Sequence, residues 1–105
     1  MRRPLPRVHA VTDERTARRP DLADVARELA SGGGERLAFH ARGRALSGRE
    51  HYDLAVRLSG TPSLPPFVND RLDIALAVRA SGVQLGRGSL GPGDARRLDP
   101  SWWIG

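Results

Sequence analysis

Short apolar runs alternate with amphipathic helical patterns along this 105-residue chain, and that alternation restricts the fold more than any other feature. Val8–Val11 reads as a first strand, and a polar loop through Thr12, Asp13 and Glu14 leaves it. Pro20 and Asp21 open a helix, because proline suits a first turn and acids suit its positive end. Leu22, Val25, Leu29 and Ala30 are expected on its core face, and Gly32-Gly33-Gly34 stops it. Residues 37–40 form a second strand. Ser47 and Glu50 make a capping box that starts a helix carrying Tyr52, Leu54, Ala55 and Leu58. A proline-rich loop, 60–66, leads into a third strand at 67–68. The helix over 71–80 has Leu72, Ala75, Leu76 and Val78 at core spacing. Strand four is expected at 83–85, a short helix from Gly91-Pro92 to about Leu98, and strand five at 102–104. The order β-α-β-α-β-α-β-α-β specifies a parallel α/β sheet with right-handed crossovers. Two architectures satisfy it: a small open doubly wound sheet, or part of a closed barrel.

Composition removes whole classes of chemistry. Cysteine is absent, so no disulfide framework or thiolate metal site forms. Lysine is absent too, since all 17 basic residues are arginine, and Schiff-base catalysis is excluded with it. The net charge of +5 comes from arginines scattered along the chain, a solvated surface rather than a nucleic-acid face. No apolar run approaches the roughly 20 residues of a transmembrane helix. Met1-Arg2-Arg3-Pro4-Leu5-Pro6-Arg7 has the charge of a signal-peptide start but no apolar segment behind it, so a cytoplasmic protein is expected.

The densest information lies in F-V-N-D-R-L-D-I-A-L-A-V-R-A-S-G-V-Q-L-G, from Phe67 to Gly86. Asn69 and Asp70 stand where a strand gives way to a helix, the rim where parallel α/β folds collect ligands. With V-H-A-V-T-D at 8–13, A-F-H-A-R-G-R-A-L-S at 38–47, G-V-Q-L-G-R-G-S-L at 82–90 and W-I-G at 103–105, it resembles the N-terminal half of the thiamine phosphate synthase/TenI family. The resemblance spans nearly the whole sequence and implies parallel βα repeats forming about half of a (β/α)8 TIM barrel, with five strands and four helices. Residues 1–105 are then one partial, truncated barrel domain.

Carried over residue by residue, the resemblance implies a site. The family's synthases carry Q-L-R-E-K at the end of strand two, where basic residues hold the pyrimidine's diphosphate. Here His40, Arg42 and Arg44 occupy those positions, and arginine keeps the charge with a fork suited to phosphate oxygens. Asn69 is implied to contact that substrate, and Asp70 to ligate Mg2+ bridging the diphosphate. The second carboxylate of the family's G-x-x-D-L-P pattern is replaced by Ser89, so metal affinity is expected to fall. Alternatively, the arginines are solvated loop residues, and Asp70 caps the backbone of Leu72 or Asp73, worth about 1 kcal/mol. No catalytic residue is identified. The pattern Gly86-x-Gly88-x-x-Gly91 imitates a dinucleotide fingerprint, but the first-strand position and the acid about 20 residues on that define one are missing.

The activity implied is coupling of hydroxymethylpyrimidine diphosphate to thiazole phosphate, with phosphorylated thiamine precursors as partners. Two alternatives remain: a TenI-like thiazole tautomerase or thiazole-phosphate binder, and a non-catalytic binding or scaffold domain. The family's later strands, and the histidine that the tautomerase branch places beyond the I-G motif, are not in this sequence. The expectation is therefore a fragment, inactive as this short chain, with open sheet edges available for self-association.

Overall fold

The computed structural model describes residues 5–60, 65–86, 88 and 90–105. Five strands, β1 (Val8–Val11), β2 (Leu37–Ala41), β3 (Phe67–Asn69), β4 (Gly82–Gln84) and β5 (Trp103–Ile104), form one sheet. They alternate with the helices α1 (Glu14–Ala17), α2 (Leu22–Gly33), α3 (Gly48–Ser59), α4 (Leu72–Ala77) and α5 (Pro92–Leu98). Every neighbouring pair is parallel, and the spatial order β1-β2-β3-β4-β5 follows the chain. This order decides between the two architectures. A doubly wound sheet reverses direction at a switch point, whereas right-handed crossovers that always step the same way keep every helix on one face. The chain is singly wound, as about half of a (β/α)8 barrel is.

The helix-side core is built from alternate strand residues, Leu37, Phe39 and Ala41 on β2, Val68 on β3 and Val83 on β4. Against them pack Leu54, Ala55 and Leu58 of α3, and Leu72, Ile74 and Ala75 of α4. Leu54 and Leu58 are fully buried, each worth about 2 kcal/mol of transfer free energy. Ser47 caps α3 as expected: its side chain accepts from the Glu50 amide at 3.1 Å, and Glu50 accepts in return from the Ser47 amide at 3.1 Å.

Several expectations about helix faces are corrected. Leu29, Tyr52 and Leu76 are exposed rather than in the core. On α2 the buried stripe is Leu22, Ala26 and Ala30, whose alanines bring the helix close and leave Leu29 at the margin. On α3 the stripe begins at His51, not Tyr52, giving the spacing i, i+3, i+4, i+7. The segment after β1 is not all loop: Asp13 caps α1 by accepting from the Thr16 amide at 2.8 Å. α4 is shorter than expected because Arg79 turns left-handed (φ 53°), and the Ala80 amide closes back on the Ala75 carbonyl at 2.9 Å.

The other sheet face carries His9, His40, Phe67 and Trp103, a row of rings. His40 stacks on Phe67 at 4.7 Å between centroids, and Phe67 on Trp103 at 5.8 Å with the planes 7° apart. The register aligns His40 with Phe67, Phe67 with Gly82, and Gly82 with Trp103. Gly82 makes the row continuous. A Cβ there would lie 2.4 Å from the Trp103 carbonyl oxygen and 2.8 Å from the Phe67 ring. Trp102 points the opposite way and is fully buried among the helices, so the two adjacent tryptophans serve the two faces.

Candidate functional site

The carboxyl ends of β2, β3 and β4 open into a cleft of about 790 Å3. Arg42, Arg44, Asn69 and Asp70 line it, together with Arg71, Gln84 and the backbone at Gly86. Four of the residues singled out in the sequence are thus brought together. His40 is not among them. It lies within β2, one level deeper, where it lines a separate cavity of about 470 Å3 with His9, Phe67, Gln84, Arg96 and Trp103. Ser89 lies outside the described residues.

The backbone beneath Arg42 is fixed from two sides. The Thr12 hydroxyl, buried against the end of β2, donates to the Arg42 carbonyl at 2.7 Å and accepts from the Arg42 amide at 2.9 Å. From α3, buried His51 donates its Nε2–H to the Ala41 carbonyl at 2.8 Å. Among the described residues no carboxylate pairs with Arg42 or Arg44, whereas Arg71 is held by two hydrogen bonds to Asp73, at 2.7 and 3.0 Å. That partnership draws the Asp73 carboxyl down to about 2, chiefly through the guanidinium hydrogen bonds.

Asp70 does not do what capping requires. The residue preceding α4 is Arg71, whose side chain makes no capping hydrogen bond. Asp70 instead adopts left-handed backbone (φ 64°), a conformation aspartate tolerates, and its Oδ1 accepts from the Gly86 amide at 2.9 Å. This bond ties the loop after β3 to the loop after β4. A Cβ at residue 86 would sit 2.9 Å from the same oxygen, so glycine lets the two loops approach without displacing the carboxylate.

Three arginines and one aspartate line the described part of the cleft, a balance that favours an anion. No group of three or more His, Asp or Glu side chains stands together among the described residues in a way that could hold a metal ion. The donor set suits magnesium only where a ligand's phosphate oxygens complete the shell around one carboxylate.

A family model described as thiamine monophosphate synthase matches residues 8–105. The chain belongs to the thiamine monophosphate synthase family. It is 40% identical over 100 residues to the thiamine-phosphate synthase of Methanoculleus marisnigri, covering 92% of this chain and 46% of that protein. The thiamine-phosphate synthase of Chlorobium phaeobacteroides is 41% identical over 91 residues, covering 84% and 42%. Thiamine phosphate pyrophosphorylase from Pyrococcus furiosus superposes with a TM-score of 0.63 at 28% identity, over 93% of this chain and 48% of that one. The chain therefore spans somewhat less than half the length of these members of the thiamine monophosphate synthase family. Among its described residues no helix is long and apolar enough to cross a membrane.

Gln84, Arg71 and His51 also line the cleft, and the sequence alone does not mark them as site residues. Gln84 sits in the V-Q-L-G run directly opposite Asn69 in the β3–β4 register, so strand pairing was the signal that pointed to it. Arg71 follows the Asn-Asp pair, and the i, i+3, i+4, i+7 spacing of α3 points to His51.

Proposed function

We propose that the cleft at the ends of β2, β3 and β4 binds a diphosphate as part of a thiamine phosphate synthase, which couples hydroxymethylpyrimidine diphosphate to thiazole phosphate in the cytoplasm. The observation that carries this is the pair of guanidinium side chains, Arg42 and Arg44, lining one cleft with Asn69 and Asp70 and having no carboxylate partner among the described residues. In the coupling, the bond from carbon to the diphosphate oxygen breaks, the leaving group keeps the electron pair, and thiazole nitrogen forms the new bond. Negative charge grows on the departing oxygens, which is where Arg42 and Arg44 act. Thr12 and His51 fix the backbone under Arg42, which leaves only its side chain to be ordered on binding. Asp70 would hold magnesium jointly with the phosphate oxygens, and the ion, when bound, supplies charge neutralisation there.

A second reading, a TenI-like binder of thiazole phosphate, is favoured by Asp70 being the only carboxylate lining the described part of the cleft. Titration with inorganic pyrophosphate, with and without magnesium, separates the two. The synthase reading expects binding that strengthens with magnesium and weakens at least tenfold in Arg42→Ala. Binding of equal strength without the ion would favour the second reading, and no binding at all would remove the diphosphate reading.

The 105-residue chain is proposed to be part of a barrel domain, with no turnover of its own, because β1 and β5 each pair on one side only among the described residues and the sheet does not close. A steady-state assay that detects product from the purified chain would overturn this.

A further inference from the structure

His9 and His40 approach through ring nitrogens, His9 Nδ1 to His40 Nε2 at 2.7 Å, and His9 Nε2 lies 2.8 Å from the Pro6 carbonyl oxygen. A carbonyl only accepts, so His9 Nε2 carries a proton. In the neutral imidazole, His9 Nδ1 is then an acceptor, and His40 Nε2 must donate to it. His40 Nδ1 is left bare, an acceptor in its turn. The ring nitrogen left for Asn69 is that bare atom. Asn69 follows Phe67, the register partner of His40, by two residues on the same sheet face, and its Oδ1 is buried and without a hydrogen-bond partner. An amide oxygen set against that bare nitrogen would oppose lone pair to lone pair. Rotating the amide half a turn exchanges two groups of nearly equal size and gives the buried position a donor.

We infer that His9, acting through His40, is a positioning residue that holds Asn69 with its amide nitrogen toward His40 Nδ1 and its carbonyl oxygen toward the cleft. Asn69 then reads an N–H or O–H donor on the bound molecule, such as a ring amine, and the phosphate oxygens fall to Arg42 and Arg44. This rests on the cleft being the substrate site, as proposed above. His40 stays neutral at ordinary pH: burial first, and the neighbouring His9 second, bring it down to about 4, against a smaller upward pull from Asn69. Besides His9 on β1, Arg96 from α5 lines the same described cavity, as does the chain's last residue, Gly105. No titratable side chain from β3, β4 or β5 lines that cavity among the described residues.

The test is long-range proton–nitrogen correlation NMR on the ligand-free, isotopically labelled 105-residue chain at pH 7.5. The expected result is Nε2–H at both His9 and His40, with a through-hydrogen-bond coupling from Asn69 Nδ2 to His40 Nδ1. In His9→Phe the tautomer of His40 should become mixed while the amide spectrum stays native-like. A wild-type His40 protonated on Nδ1, or a His40 tautomer unmoved in a folded His9→Phe variant, overturns the inference. If that variant does not fold, the wild-type tautomer decides alone. No ligand is used, so failure here leaves diphosphate binding untouched, and a cleft that binds no pyrophosphate leaves the tautomer result standing.

Discussion

Single side chains here carry constraints that their residue type does not announce. Gly82 reads as the small residue that ends a helix, yet its place in the register puts it beneath the stacked rings of Phe67 and Trp103. Gly82→Ala should destabilise by about 1–3 kcal/mol through overpacking against a backbone oxygen that cannot move aside, measured by urea denaturation. An unchanged midpoint would mean that β4 and β5 are free to separate. Thr12 is a second case, a loop-type residue whose hydroxyl extends the β1–β2 ladder onto Arg42. Thr12→Val keeps the shape and strands the Arg42 amide and carbonyl, at a cost of about 1–3 kcal/mol, with weaker pyrophosphate binding on the proposed reading. His40 sets a pH dependence. Its folded pKa, about 4, lies below its ordinary 6.5, so the unfolded chain binds more protons between those values. Stability is fully present above pH 6.5 and falls as pH drops toward 4. Denaturation curves across that window should show the slope, and His40→Phe should flatten it.

At the scale of elements, the sequence showed most clearly where backbone chemistry is local. The capping box of α3, proline at the start of α5 and the apolar runs of β1 and β2 each depend on residues a few positions apart, and each lies where the pattern put it. What escaped depends on partners distant in the chain. His51 belongs inside because Ala41 supplies an acceptor ten residues away, and Tyr52 is displaced from the core by that choice. Asp70 looks like a cap when only Leu72 and Asp73 are considered, but its hydrogen bond goes to Gly86, across two elements. Asn69, Asp70, Arg42 and Arg44 could be proposed together only through a family resemblance, since nothing in their spacing says that the two strand ends meet. The end of α4 offers a clean test. Arg79 occupies left-handed backbone where glycine pays no steric cost, so Arg79→Gly should raise stability by up to about 1 kcal/mol, seen as a higher thermal midpoint. A lowered midpoint would assign the arginine side chain a packing role that outweighs its backbone strain.

For the whole molecule the governing fact is a singly wound parallel sheet whose two sides are open among the described residues. A continuous core covers its helix face from β2 to β4, while on β1 Val8 and Val11 are more than half exposed. Unpaired strand edges beside apolar side chains recruit other strands, because each unmet amide and carbonyl gains a partner on pairing and the valines leave water. In an assembled barrel, further βα units would meet both edges and cover the ring row of His9, His40, Phe67 and Trp103. With this chain alone in solution, the available strands are those of other copies. Sedimentation velocity over a hundredfold range of concentration should therefore show mass rising with concentration. Val8→Lys with Val11→Lys should hold the chain monomeric, since a charged edge resists pairing, while leaving helical content unchanged. A wild-type chain that stays monomeric throughout would show that the edges are closed without a partner, and the half-barrel would then be a self-sufficient fold.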